Sequence, residues 1–174
     1  LLCTHQHIRL FIDMVRLATP QDLHYFYDLY MHPVINPYLL YEPMPVESFV
    51  PIYKDLTDKN ALFVYSAEGR DIGMFKLLPQ QYRNAHIVYL GGVALHPDYF
   101  GSGHARLMMQ EIVSLARDKG FLRIELSVAA TNAKAMRLYE SAGFEKEGIL
   151  RKYTCLAREN KYIDEVFMAW LSPD

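Results

Sequence analysis

Hydrophobic and polar positions change period several times along the chain, and each change marks an element. Met14-Val15-Arg16-Leu17-Ala18 alternates, which predicts a short strand. Thr19-Pro20-Gln21-Asp22 reads as a helix start: Thr19 caps, Pro20 has its φ pre-set, and Asp22 reaches back to the cap N–H. Leu23, Phe26, Tyr27 and Tyr30 follow at i, i+3, i+4 and i+7, one apolar helix face that His32-Pro33 ends. Five prolines (33, 37, 43, 45 and 51) then fall between Pro33 and Pro51. That density predicts a loop with broken helical turns rather than one long helix.

Residues 62–67 and 72–78 flank Glu68-Gly69-Arg70-Asp71 and predict a β-hairpin. Residues 86–95 form a nearly continuous apolar run, the pattern of a central strand covered on both faces. The spacing predicts a helix over 103–119, with Ala105, Met108, Ile112, Leu115 and Ala116 on one stripe and Gly120 as its stop. Over 122–128 the residues alternate, Leu122, Ile124, Leu126 and Val128 on one face and Arg123, Glu125 and Ser127 on the other. Asn132 caps a second short helix with Ala135, Met136, Tyr139 and Ala142 inward and Gly143 as its stop. Residues 149–154 and 162–171 read as a closing strand pair.

The hairpins imply antiparallel pairing in the first half. The strand–helix–strand unit implies parallel pairing of 86–95 with 122–128. The expected fold is therefore α/β: one domain with a mixed central sheet and helices on both faces. Residues 1–13 (LLCTHQHIRLFID) are too mixed in polarity for a signal-peptide core. They read as an extension ahead of a domain at 14–174, with Met14 at or near the natural start.

Composition excludes more than it assigns. Of 174 residues, 51% are apolar and 22% charged, enough to bury a real core. A net charge of −2 gives no basic surplus for nucleic acid, and no apolar run reaches the ~20 residues of a membrane span. Two cysteines, Cys3 and Cys155, make no disulfide framework and suit a reducing cytoplasm. His5-x-His7 could chelate, but it lies on a terminus, and His24, His32, His86, His96 and His104 lack metal-ligand spacing; no metal is expected.

The informative chemistry lies in VALHPDYFGSGHARLMM, Val93 to Met109. A strand ends at Leu95, and Gly101-Ser102-Gly103 leads straight into a helix. The N–H groups of 101–106 then point outward together at the positive end of the helix dipole, a cradle suited to phosphate or pyrophosphate. A plain tight turn is the competing explanation. Arg106 replaces the sixth-position glycine of a dinucleotide fingerprint, and no Gly-Lys-Ser/Thr ending is present.

Together with ELSVAATNAKAMRLYESAGFEKEG (Glu125 to Gly148), that segment resembles the GNAT superfamily of N-acetyltransferases. The family's pyrophosphate loop, Q/R-x-x-G-x-G/A, is similar to Phe100-Gly101-Ser102-Gly103-His104-Ala105, departing at Phe100. Its N-x-x-A-x-x-x-Y-x-x-x-G-F motif is similar at Asn132, Ala135, Tyr139, Gly143 and Phe144. EGILRKY (147–153), with Tyr162, Asp164, Glu165 and Met168, looks like the branch holding ribosomal-protein and amino-acid N-acetyltransferases. The resemblance implies acetyl-CoA as donor and direct attack by a primary amine without an acyl-enzyme. It implies that Gly101, Ser102, Gly103, His104, Ala105 and Arg106 hold the diphosphate, and that Val93, Ala94 and Leu95 run beside the pantetheine. A backbone N–H there would polarise the thioester carbonyl. Tyr139 would be the general acid to the departing thiolate, with inward packing as its alternative, and Asn132 both cap and cofactor contact.

Glu125 and Ser127 lie on the polar face of a strand expected to be internal, which suggests that this face opens on a cleft. Glu125 is the candidate base, directly or through water; pairing with Arg123 is its alternative. Family branches often carry Glu where Ser127 stands. An α-amine of pKa ~7.8 is roughly 15% neutral at pH 7 and a lysine amine below about 0.1%, a difference of ~3.5 kcal/mol. A site without an obvious strong base therefore leans toward α-amines. Tyr38, Tyr41, Glu42 and Ser127 could receive the acceptor, with loop packing as the alternative for the first three. The expected acceptor is a small amine or amino acid, alternatively a protein N-terminus. A low-turnover acyl-CoA-binding module and a homodimer both stay open.

Overall fold

Arg16, on the short first strand, ties three chain segments together. Its guanidinium meets Asp22 at 2.8 Å and Asp71 at 2.6 Å. Asp22 in turn accepts from the Thr19 N–H at 2.8 Å, closing the cap. The computed structural model describes residues 14–173; Cys3 and His5-x-His7 lie outside the described residues.

The strands are β1 (Val15–Leu17), β2 (Leu62–Ala67), β3 (Arg70–Pro79), β4 (Ile87–Leu95), β5 (Arg123–Ala129), β6 (Glu145–Leu156) and β7 (Lys161–Leu171). The helices are α1 (Leu23–Met31), α2 (Val46–Asp58), α3 (His104–Asp118) and α4 (Ala133–Ser141). One sheet runs β1-β2-β3-β4-β5-β7-β6. Every neighbouring pair is antiparallel except β4 and β5, which are parallel, as the pattern required.

Each face of the sheet has its own core. Phe26, Leu29 and Tyr30 of α1 and Phe49, Tyr53 and Leu56 of α2 cover Leu62, Val64, Met74 and Ala94 on one side. On the other, Met108, Met109, Ile112 and Ala116 of α3 pack on Phe63, Tyr65, Phe75 and Val88, and α4 adds half-buried Ala135, Met136, Leu138 and Tyr139.

Three expectations shift. The proline-rich segment does not stay broken to Pro51: α2 begins at Val46 and runs through that proline. Pro51 sits on the exposed side, where its missing N–H leaves the Glu47 carbonyl to water. Burying Phe49, Tyr53 and Leu56 at ~1.5–3 kcal/mol each outweighs the ~3 kcal/mol of an interior proline. β6 begins at Glu145 rather than 149, with its register against β7 slipping between Lys146 and Gly148 and again between Leu150 and Thr154. Leu122 precedes β5 and is exposed, so the inward face of that strand is Ile124, Leu126 and Val128.

Candidate functional site

The sheet opens at its one parallel step. β4 and β5 pair only through Ile87–Arg123, Val88–Ile124 and Tyr89–Glu125. Past Tyr89, β4 stays with β3 and β5 stays with β7, so a wedge opens between them. The run 86–95 therefore lacks a strand partner on its β5 side past Tyr89, and Tyr89, Gly91, Gly92 and Val93 border the gap. A bulge bends β4 there: the pairing steps from Met74–Ala94 to Lys76–Gly91, and Gly92 takes φ +59°. A Cβ on Gly92 would lie 2.4 Å from the Tyr30 hydroxyl, so backbone and packing both exclude a side chain.

A cavity of about 360 Å³ fills the wedge. At its floor the Tyr89 and Ser127 hydroxyls bond across the split at 3.1 Å. Asn132, Ala135 and Tyr139 form one wall, Tyr38 reaches in from the 33–45 segment, and Thr154 and Glu165 face it from β6 and β7. Asn132 caps α4 by accepting from the Ala135 N–H at 3.1 Å. Burial pushes the Tyr139 phenol up to about 12, so it holds its proton and remains a donor throughout the neutral range.

The loop 101–106 enters α3 with left-handed residues at Gly101 (φ +75°) and Gly103 (φ +88°). A Cβ at either would meet nothing within 4 Å, so the glycines are required by backbone conformation and the space above them is open. Six outward N–H groups become fewer: Ser102 N–H bonds back to Tyr99 and Arg106 N–H to Gly103. The N–H groups of Gly101, Gly103 and Ala105 find no backbone acceptor, and that of His104 meets only the Ser102 hydroxyl at 3.5 Å. These stand at the positive end of a 15-residue helix. Exposed Phe100 stacks under the Lys134 ammonium at 5.2 Å, which places a cation beside the loop where the motif lacks its polar residue.

Val93 borders the cavity, whereas the side chains of Ala94 and Leu95 are buried in opposite cores. Only their backbone can serve a ligand in the wedge.

Glu125 takes the second of its two readings, pairing with Arg123. Its carboxylate accepts from Arg123 Nε at 2.6 Å and Gln80 Nε2 at 3.0 Å, and Arg123 also grips Glu147. It sits at the last paired position of the split, below the opening, and is not among the cavity-lining residues. Of the acceptor candidates, Tyr38 and Ser127 line the cavity and Tyr41 and Glu42 do not. The Tyr41 ring packs on Tyr30 at 5.3 Å, and Glu42 takes the Ala157 N–H at 3.2 Å, fastening its segment to the β6–β7 turn.

Two charged residues of the cavity were not legible beforehand. Glu165, on β7, accepts from the Thr154 hydroxyl and is the carboxylate among the lining residues. Lys76, on β3, lines the cavity although only 5% of its surface is exposed. A lysine interrupting the apolar run 72–78 was the available signal for it. Among the described residues, no group of three or more His, Cys, Asp or Glu side chains could hold a metal, and no helix is long and apolar enough to cross a membrane.

The chain is thus a mixed sheet split at its parallel step with open N–H groups at the start of the following helix, and sequence comparison specifies its family. A family model described as the acetyltransferase (GNAT) family matches residues 21–144. A protein of Mycobacterium bovis named as an uncharacterized N-acetyltransferase is 32% identical over 109 residues, 62% of this chain and 68% of that one. The ribosomal protein bS18-alanine N-acetyltransferase of Salmonella typhimurium is 32% identical over 80 residues, 46% of this chain and 53% of its own. Among solved structures, spermidine N-acetyltransferase from Vibrio cholerae, in complex with CoA and spermine, matches with a TM-score of 0.79 at 26% identity, over 90% of this chain and 94% of that one. A ribosomal-protein-alanine N-acetyltransferase from Brucella melitensis shares the fold (TM-score 0.75, 22% identity, 91% and 99% covered). The chain belongs to the GNAT family and is an N-acetyltransferase.

Proposed function

We propose that this chain transfers the acetyl group of acetyl-CoA to the α-amine of a small molecule or amino acid, by direct attack in a ternary complex. The observation that carries this reading is the wedge between β4 and β5, a cavity bordered by Tyr139, together with the open N–H groups of Gly101, Gly103 and Ala105 at the start of the helix that follows β4. The CoA complex of the Vibrio cholerae relative supports the donor.

In this reading Gly101, Gly103 and Ala105 donate to the diphosphate, with Ser102, His104 and Arg106 around it. The pantetheine lies along the free edge of Val93–Leu95 and takes the place of the strand partner that β4 lacks there. A backbone N–H of that edge polarises the thioester carbonyl as negative charge builds on its oxygen. Tyr139 faces the departing sulfur. A phenol at about 12 is ~3.5 units too weak an acid to protonate a free thiolate of ~8.5 outright, an uphill step of ~5 kcal/mol. It acts by donating a hydrogen bond to the sulfur while charge develops, and proton transfer follows as the C–S bond breaks. Glu125, engaged with Arg123, is not the base in this scheme. Glu165, bordering the cavity beside Thr154, accepts the proton of the attacking ammonium, directly or through water.

Thiol release by the purified protein, measured with acetyl-CoA against amino acids, polyamines and N-terminal peptides, tests the reading. Release with amino acids is the expected result. Release with none of the three classes overturns it, and release only with peptides moves the acceptor to a protein N-terminus, the reaction named for the Salmonella typhimurium relative.

A further inference from the structure

The cavity holds a cation that the acetyl transfer described above does not use. Lys76 pairs across the sheet with Gly91, and its side chain lies along the glycine pair of β4. A Cβ on Gly91 would fall 2.9 Å from Lys76 Cε, and one on Gly92 would fall 3.8 Å from its Cγ. Two residues without side chains therefore make the channel in which the lysine runs to the cavity. Only 5% of Lys76 is exposed, and no described residue offers it an ion pair or a hydrogen bond. Its one favourable electrostatic contact is the face of the Tyr41 ring, 5.4 Å from the ammonium. Burial lowers its pKa from the ordinary lysine value, and the Tyr41 ring face is the contact that favours the charged form.

A buried ammonium without a carboxylate is costly, and a leucine or methionine would fill the same space on β3 without that cost. The position along β4 states where the charge acts. Tyr89 closes the wedge, Gly91 and Gly92 carry Lys76, and the edge assigned to the thioester begins one residue later at Val93. Lys76 thus faces the part of the cavity from which an acceptor approaches, together with Tyr38 and Leu78. Glu165 borders the same cavity from β7.

We infer that Lys76 is the specificity-determining residue of this site, and that the acceptor is an amine that also carries a carboxylate or comparable oxyanion, seated on Lys76 while its amino group faces Glu165. The inference rests on the proposed acetyl transfer only for the orientation of the acceptor; the anion site itself stands on the burial and isolation of Lys76. A polyamine brings positive charge to a buried positive charge and is disfavoured by the same geometry.

The test pairs each proteinogenic amino acid with its carboxamide, adds spermidine, and reads kcat and KM in wild type and in Lys76→Met. Wild type should favour at least one acid over its amide by tenfold or more in kcat/KM. Lys76→Met should lose 10- to 100-fold on the acid, chiefly through KM, while the amide stays within about threefold, so that the preference collapses. An unchanged acid-to-amide ratio in Lys76→Met, or a wild type that prefers amides or spermidine, overturns the inference. Calorimetric binding of the same acids in the presence of CoA separates the two readings. Binding that depends on Lys76 without any thiol release upholds the anion site and overturns the transfer. Absence of both acid binding and acid turnover overturns the anion site. Lys76→Met should melt no lower than wild type; if it fails to fold, the acid-to-amide ratio of the wild type decides.

Discussion

Gly92 is where the bend of β4 depends most narrowly on one residue, and its replacement by alanine separates two costs that can be measured apart. The first is conformational. At φ +59° an alanine is left-handed, which costs ~1–2 kcal/mol relative to glycine. The second is steric. The added Cβ would stand 2.4 Å from the hydroxyl of Tyr30, a ring only 1% exposed and wedged against Tyr41 and Phe49, so it cannot step aside freely. Overpacking of that kind costs another ~1–3 kcal/mol, for a total of ~2–5. Tyr30→Phe removes the offending oxygen and leaves Cζ at 3.4 Å, an ordinary contact. That hydroxyl has no protein partner, so the phenylalanine variant alone should be neutral or somewhat more stable. Urea denaturation of wild type, Gly92→Ala, Tyr30→Phe and the double variant closes the cycle. The cost of Gly92→Ala should fall to ~1–2 kcal/mol in the phenylalanine background, a coupling of at least ~1 kcal/mol. Equal costs in both backgrounds would refute the steric half, and a negligible cost in both would refute the left-handed requirement as well.

Tyr139→Phe should lower kcat at least tenfold while leaving the Kd of acetyl-CoA within about twofold; unchanged turnover removes the acid role. Glu125→Gln should cost ~1–3 kcal/mol of stability by unbalancing the Arg123 network, and should leave the acidic limb of the kcat/KM pH profile in place. Loss of that limb would return the base role to Glu125. Arg16 holds the Asp22 carboxyl down at about 2, below its ordinary 3.8. A depressed carboxylate contributes stability that is full above about pH 4 and lost as pH falls toward 2. Asp22→Asn should therefore melt below wild type at pH 7 and converge with it near pH 2, and a constant gap across that range would contradict the linkage.

Elements whose residues state their own geometry were legible in advance. Thr19 and Asp22 close the cap they spell, Asn132 caps α4, and the alternation of 122–128 buries Ile124, Leu126 and Val128. The loop 101–106 was legible because a glycine pair before a helix constrains its own N–H groups. What stayed hidden depended on register between distant segments. Lys76 becomes a cavity residue only because it pairs with Gly91, and Glu165 only because β7 lies beside β5 with its position opposite Ala129. For Glu125 and Glu42 the structure takes the alternatives their positions also offered. Both are carboxylates near the right chain positions, yet Arg123 and the Ala157 N–H hold them; the first partnership was readable from the alternation of 122–128, the second joins segments 115 residues apart.

The outermost strand, β6, carries a consequence for how copies of this chain meet one another. Twelve residues long and lying at the end of the sheet, it shows solvent a row of backbone donors and acceptors with Ile149 and Tyr153 exposed among them. A straight edge of that length would recruit a strand from a neighbour. Here the row is cut twice by the register slips, Lys152 turns left-handed at φ +52°, and Lys146, Arg151 and Lys152 bring charge to the same stretch. The irregularities that bring Tyr153 and Thr154 to the cavity thus also break the template for aggregation, so straightening β6 would threaten solubility before it threatened the fold.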